Sequence, residues 1–206
     1  MLKFNLDTTI QKNVKANFLM DFPTKKRKKH PLIIYLHGAG ERDVSPEDIG
    51  NFSIRNEINE HLGFAILTPH CPPNEIWDED IIAALVKDAI NFGNIDPKRI
   101  YLTGVSMGAR GVWNAATSYP DLFTALAPIS GFSYYLKAAK IAKVPTWIFH
   151  GKYDNIVPFE ESYKMFNSMK EAGGNPRFST WEGGHSGFYK VYDTEHLYLW
   201  MLEHTK

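Results

Sequence analysis

The sequence predicts an α/β fold: a mostly parallel central sheet, an N-terminal antiparallel hairpin and helices on both faces. Two observations carry this expectation. Six short apolar runs, Pro31–His37, Phe64–Pro69, Arg99–Gly104, Leu126–Ser130, Thr146–His150 and Arg177–Trp181, have the length and continuity of strands buried on both faces of a parallel sheet. Between them lie segments whose apolar residues recur at the spacing of sheet-covering helices. A chain of 206 residues with 44% apolar residues suits one domain, 1–206, whose folding removes roughly 70% of the extended chain's surface from water.

Taken in order, Leu2–Thr8 and Val14–Phe22 read as the two strands of the hairpin. The basic run Lys25–Lys29 beside Pro31 reads as a solvated turn leading into the next strand. From Glu79 to Phe92, apolar pairs at 81/82, 85/86 and 89/90 keep one helix face on the sheet. Asp96 and Pro97 are expected to break the chain before the Arg99 strand. The helix Gly108–Tyr119 stops at Pro120, because proline disfavours helical geometry in the residue before it. A helix over Glu160–Ala172 ends at Gly173 and Gly174, and Thr194–Glu203 forms the closing helix. Functional loops of such a sheet gather at the C-terminal edge of its strands.

Several function classes lose ground on composition. The 23 basic and 23 acidic residues cancel, which removes any global drive toward nucleic acid. The longest apolar runs, Ile81–Val86 and Leu197–Leu202, fall far short of the ~18 residues of a membrane span. The N-terminus has no apolar run of signal-peptide length, so the chain is expected to be cytoplasmic, with a processed exported protein as the other reading. The lone Cys71 has no intramolecular disulfide partner, and no motif brackets it, which leaves a packing role. His37 and His150 each end a strand before a glycine and are expected to order loops. The histidines at 30, 61, 70, 196 and 204 read as surface or loop residues. No His or Cys pair has metal-ligand spacing, so neither a metal nor a cofactor is assigned.

The sharpest signal is Gly104-Val105-Ser106-Met107-Gly108, a G-x-S-x-G directly between a strand and a helix. A chain turning that abruptly holds the serine in strained geometry, and the flanking glycines remove Cβ atoms that would clash. The hydroxyl is exposed at the sheet edge, and Met107 N–H is free at the positive end of the helix dipole. A serine hydroxyl needs a general base, and the base needs a group that fixes its tautomer. Asp154, in the loop after the Thr146–His150 strand, is placed to be that acid. His185, in the glycine-rich loop after the last strand, is placed to be the base. Glu182 is the rival acid but shares the histidine's loop, and Asp193 breaks the Ser, acid, His order. The loop His37-Gly38-Ala39-Gly40-Glu41-Arg42 lets Ala39 N–H turn inward as a second oxyanion donor. Trp77 and Phe188 are candidate pocket residues, with core packing or loop anchoring as the competing role.

These residues resemble the α/β-hydrolase superfamily, and more closely the small bacterial enzymes catalogued as predicted peptidases or phospholipase/carboxylesterase-type esterases. The likeness rests on LHGAGER (36–42), RIYLTGVSMGARGVW (99–113), YPDLFTALAPISG (119–131), PTWIFHGKYDNIVP (145–158) and EGGH (182–185), and covers the chain from about residue 30 onward. It implies a serine hydrolase with Ser106, Asp154 and His185 as triad, Ala39 and Met107 as backbone donors, and no cofactor. Relatives commonly carry a second glycine where this chain has Ala109, and an HDSW-like sequence where it has Ser186-Gly187-Phe188. The stretch from Ser130 to Val144, the usual place of a lid, holds only about a dozen residues, too few for a separate helical domain. The expectation is a lidless carboxylesterase for small neutral esters with short acyl groups. The alternatives are a long-chain acyl thioesterase or lysophospholipase, a peptidase, and a non-catalytic binding module.

Overall fold

The computed structural model describes residues 11–45, 47–49, 54, 57–92 and 94–206. Its centre is a seven-stranded sheet. The strands are β1 (Phe18–Asp21), β2 (His30–Leu36), β3 (Ala65–Pro69), β4 (Ile95–Val105), β5 (Ala125–Ile129), β6 (Trp147–Gly151) and β7 (Arg177–Trp181). Their spatial order is β1-β3-β2-β4-β5-β6-β7. Every neighbouring pair is parallel except β1 with β3, where Phe18 faces Pro69 and Asp21 faces Ile66. The expected hairpin therefore appears as an antiparallel edge strand against β3; its first arm, Leu2–Thr8, lies outside the described residues.

The helices are α1 (Glu57–Leu62), α2 (Glu79–Asn91), α3 (Met107–Ser118), α4 (Phe159–Glu171), α5 (Tyr189–Tyr192) and α6 (Glu195–Leu202). Alternation along β2 sorts the core into two layers. Leu32, Ile34 and Leu36 pack with Ile82, Val86, Val112, Trp113 and Met165 of α2, α3 and α4, while Ile33 and Tyr35 face Tyr192, Leu197, Tyr198 and Met201 of α5 and α6. Burial on both faces explains why β2, β3 and β5 read as nearly unbroken apolar runs.

Two expectations are corrected in detail and a third is extended. Asp96 and Pro97 do not end an element: β4 runs through them, and the irregularity is absorbed as a register shift against β2 between His30 and Leu32. His30 is buried rather than a surface residue, its Nδ1 lying 3.0 Å from the Gly63 carbonyl and its ring edge-on to Phe22. The basic run is exposed, as expected of a solvated turn, yet two members are engaged: Lys25 and Arg27 donate to the His61 and Leu62 carbonyls, where cations complement the helix dipole of α1.

Between β5 and β6 the chain forms only a short 3-10 segment, Tyr135–Lys140, with Tyr134 and Leu136 exposed. No helix among the described residues is long and apolar enough to cross a membrane.

Candidate active site

Ser106 sits between β4 and α3 with φ 56° and ψ −114°, a left-handed conformation rarely held by a residue with a side chain. The surroundings impose it. Ser106 N–H donates to the Ile129 carbonyl of β5 at 2.9 Å, while its own carbonyl accepts Arg110 N–H and starts the helix. The turn is tight enough that a Cβ at Gly108 would overlap the Leu36 carbonyl, and one at Gly104 would come within 2.7 Å of the same oxygen. Both glycines of the motif are there because β2 and α3 approach backbone to backbone.

The loop after β2 lies against this turn. A Cβ built on Gly38 would stand 3.8 Å from Ser106 Cβ, so the chain at Gly38 passes beside the serine. Gly38 N–H donates to Glu41 Oε2, and Ala39 opens a 3-10 turn, Ala39–Glu41. As the first residues of their helical turns, Ala39 and Met107 have N–H groups with no partner inside the turn itself.

His37 anchors that loop, as expected of a strand-ending histidine. Its Nε2 accepts Cys71 N–H at 3.0 Å, so Nδ1 carries the proton and donates to the Gly38 carbonyl at 2.8 Å. Trp77 donates its indole N–H to the His37 carbonyl at 3.0 Å and is buried edge-on to the His37 ring. It borders a cavity of about 640 Å³ that is also lined by His70, Cys71 and Asn114 and does not include Ser106. Phe188 is half-buried against the α5 and α6 core layer.

Burial is the main reason the His37 pKa is pushed down to about 4; the charges of His70 and Arg42 act in the same direction, while the bond to the Gly38 carbonyl opposes them. The unfolded chain binds this proton near pH 6.5 and the folded chain does not, so the contribution to stability is complete above pH 6.5 and is lost as pH falls toward 4. Its size is about 3 kcal/mol. Urea unfolding should show this loss between pH 7 and pH 4, and His37→Asn should flatten that part of the stability profile.

At the same C-terminal edge, Asp154 follows β6 and His185 opens a 3-10 turn after β7. His185 Nδ1 lies 2.7 Å from Asp154 Oδ2, with the carboxylate side chain fully buried and the imidazole 19% exposed. Asp154 Oδ1 accepts the N–H groups of Ile156 and Val157, each at 2.9 Å. Burial opposes the charge, but the bonds from His185, Val157 and Ile156 prevail and hold the carboxyl below its ordinary pKa. The two loops are stitched together by Lys152 N–H to the Trp181 carbonyl and Tyr153 N–H to the Gly183 carbonyl, both at 3.0 Å. Glu182, the rival acid, points to solvent and pairs with Lys152.

Ser106, Asp154 and His185 thus arise from the ends of β4, β6 and β7 in one parallel sheet. His185 is joined to Asp154, but no hydrogen bond joins it to Ser106 in this structure. His150, expected to order a loop, lies with its Nε2 2.9 Å from the Val157 carbonyl of the 154–157 loop; with Ser162, which sequence reasoning passed over, it forms a buried polar cluster beside Asp154. The one signal available was a histidine ending a strand four residues before the aspartate. Among the described residues, no group of three or more His, Cys, Asp or Glu side chains is placed to hold a metal ion.

Known proteins share this arrangement of strands. A thermostable esterase structure superposes with a TM-score of 0.83 at 29% identity, covering 94% of this chain and 60% of that one. An acetylxylan esterase of Coprinopsis cinerea is 27% identical over 139 residues, which covers 60% of this chain and 37% of that one. A poly(3-hydroxyalkanoate) depolymerase C of Paucimonas lemoignei is 49% identical over 117 residues, covering 50% and 28% respectively. The chain therefore spans well under half the length of these two curated relatives. The dienelactone hydrolase family matches residues 56–197, a span that contains Ser106, Asp154 and His185 but stops short of the loop at 37–42. With that match over more than half its length, and the α/β-hydrolase sheet beneath it, the chain belongs to the dienelactone hydrolase family.

Proposed function

We propose that this protein is a serine carboxylesterase that works through an acyl-enzyme. Ser106 Oγ attacks the ester carbonyl as His185 Nε2 takes its proton, closing the Ser106–His185 hydrogen bond as substrate binds. Asp154 holds the His185 Nδ1–H tautomer and stabilises the imidazolium. Ala39 and Met107 N–H groups receive the oxyanion, and His185 then protonates the departing alcohol. Water repeats the sequence in reverse roles and frees the serine. The observation that carries this reading is the 2.7 Å pairing of His185 with a fully buried Asp154, at the same sheet edge as a serine in a left-handed turn.

The substrate class follows from three supports. Two of the relatives described above are named as esterases, one of them an acetylxylan esterase, and the third is named a poly(3-hydroxyalkanoate) depolymerase. Among the described residues, only a short 3-10 segment stands between β5 and β6, which suits small acyl groups on larger alcohols. The chain's zero net charge fits a neutral ester. A fluorophosphonate probe is expected to add one label per chain, at Ser106. A panel of aryl esters should show turnover falling as the acyl chain lengthens. No label at Ser106 would sink the mechanism, and turnover rising with chain length would favour a long-chain thioesterase or lysophospholipase.

A further inference from the structure

His150 has no part in the chemistry just proposed, yet its side chain is wholly buried and approaches Asp154 Oδ2, the same oxygen that pairs with His185. It ends β6. Its Nε2 lies 2.9 Å from the Val157 carbonyl and 3.3 Å from Asp154 Oδ2. Both neighbours can only accept, so Nε2 carries the proton. Its Nδ1 lies 2.7 Å from Ser162 Oγ on α4, and that hydroxyl is 3.2 Å from the Gly131 carbonyl beyond β5. The same Val157 that receives the imidazole proton gives its own N–H to Asp154 Oδ1.

We propose that His150 is a positioning residue for the acid: through Val157 it fixes Oδ1, and with the positive edge of its Nε2–H it holds Oδ2 in line with His185. This rests on the reading of Asp154 and His185 given above. Burial favours the neutral imidazole, against the Val157 carbonyl bond and the Asp154 charge. Nδ1 is then an acceptor, and the Ser162 hydroxyl donates to it. This locks the tautomer from the far side, as Asp154 does for His185. The hydroxyl can also turn to the Gly131 carbonyl, so a protonated ring could be accommodated without leaving a polar atom stranded.

The position is costly to fill with a histidine unless the ring does something a leucine could not, because burying an imidazole requires partners on both nitrogens. Here the ring's partners come from the 154–157 loop and α4, and the segment after β5 in turn accepts from the Ser162 hydroxyl. The charged and titratable groups facing the ring are Asp154, His185 and Glu160. The nearby Lys152–Glu182 pair, with Tyr153 hydrogen-bonded to Glu182, lies in solvent.

The test compares His150→Leu with His150→Gln in the full chain, measuring kcat, KM and the pH profile on a short-acyl aryl ester. His150→Leu should lower kcat about 10- to 100-fold with little change in KM, the size expected when a catalytic group loses its alignment. Without the N–H beside it, the carboxylate holds the His185 proton more tightly, so the acid limb of kcat should move up by about half a unit. His150→Gln, which restores a neutral donor, should recover most of the loss and return the limb. The inference is overturned if folded His150→Leu keeps parental kcat, if its acid limb stays in place, or if His150→Gln falls as far as leucine. Should the leucine variant not fold, the glutamine variant decides alone: near-parental kcat and limb support the role, a leucine-sized loss overturns it. Ser106→Ala is run alongside. Activity surviving there removes the proposed mechanism itself, whereas its loss beside a parent-like His150→Leu removes only this inference.

Discussion

Ser106→Ala is expected to lower kcat by about 10⁴- to 10⁶-fold while leaving the fold intact, since removing the nucleophile leaves only oxyanion binding and substrate placement to act. The small side chain relieves no packing, and the left-handed turn is imposed by neighbours rather than by the hydroxyl. Asp154→Asn should follow at roughly 10⁴-fold, because an amide can present its N–H to His185 and favour the wrong tautomer. Glu182→Gln should stay close to the parent enzyme: its carboxylate is solvated and occupied by Lys152, and an exposed pair contributes little. Hydrolysis of an aryl acetate, with circular dichroism to confirm folding, checks all three. A larger loss at Glu182 than at Asp154 would falsify the assignment of the acid.

Gly108→Ala should produce the largest loss of stability of any single methyl added at a glycine among the described residues. The new Cβ would overlap the Leu36 carbonyl oxygen and crowd the Leu36 carbon and His37 oxygen, all backbone atoms at the C-terminal end of β2 and its exit. They cannot rotate away, so α3 must lift from the sheet. Overpacking of this kind costs about 3 kcal/mol or more, or some 6–12 °C in Tm for a chain of this size. Gly40→Ala is the control, since a Cβ there meets nothing within 4 Å and should leave Tm unchanged. Thermal unfolding of the two variants side by side makes the comparison, and equal Tm values would refute the backbone-clash argument.

Much of this was legible before any coordinates. The strands of the parallel core announce themselves because both faces are buried, and the serine's turn is readable because its glycines answer a local steric demand. Asp154 and His185 could be placed because each follows a strand of that sheet. What escaped was whatever depended on contacts between distant segments. The partner of β1 is β3, a pairing that no local pattern specifies. Asp96-Pro97 looked like a break because proline lacks a donor, but a register shift lets the strand carry it. His30 looked exposed beside a basic run, whereas a carbonyl at Gly63 gives it a buried partner. The relation of His150 to Ser162 is set by how α4 docks under β6, and neither residue signals it alone.

The strand order has a consequence for robustness. Ser106 leaves the central strand β4, whereas His185 hangs from β7, a five-residue outer strand that is exposed or only half-buried along its length. Edge elements with little buried surface open before the sheet's middle does. Nucleophile and base are thus entrusted to parts of the molecule with unequal resistance to fraying. Under mild heat or denaturant the enzyme should fall silent by losing its base, with the elbow still formed and able to recover when the edge re-docks.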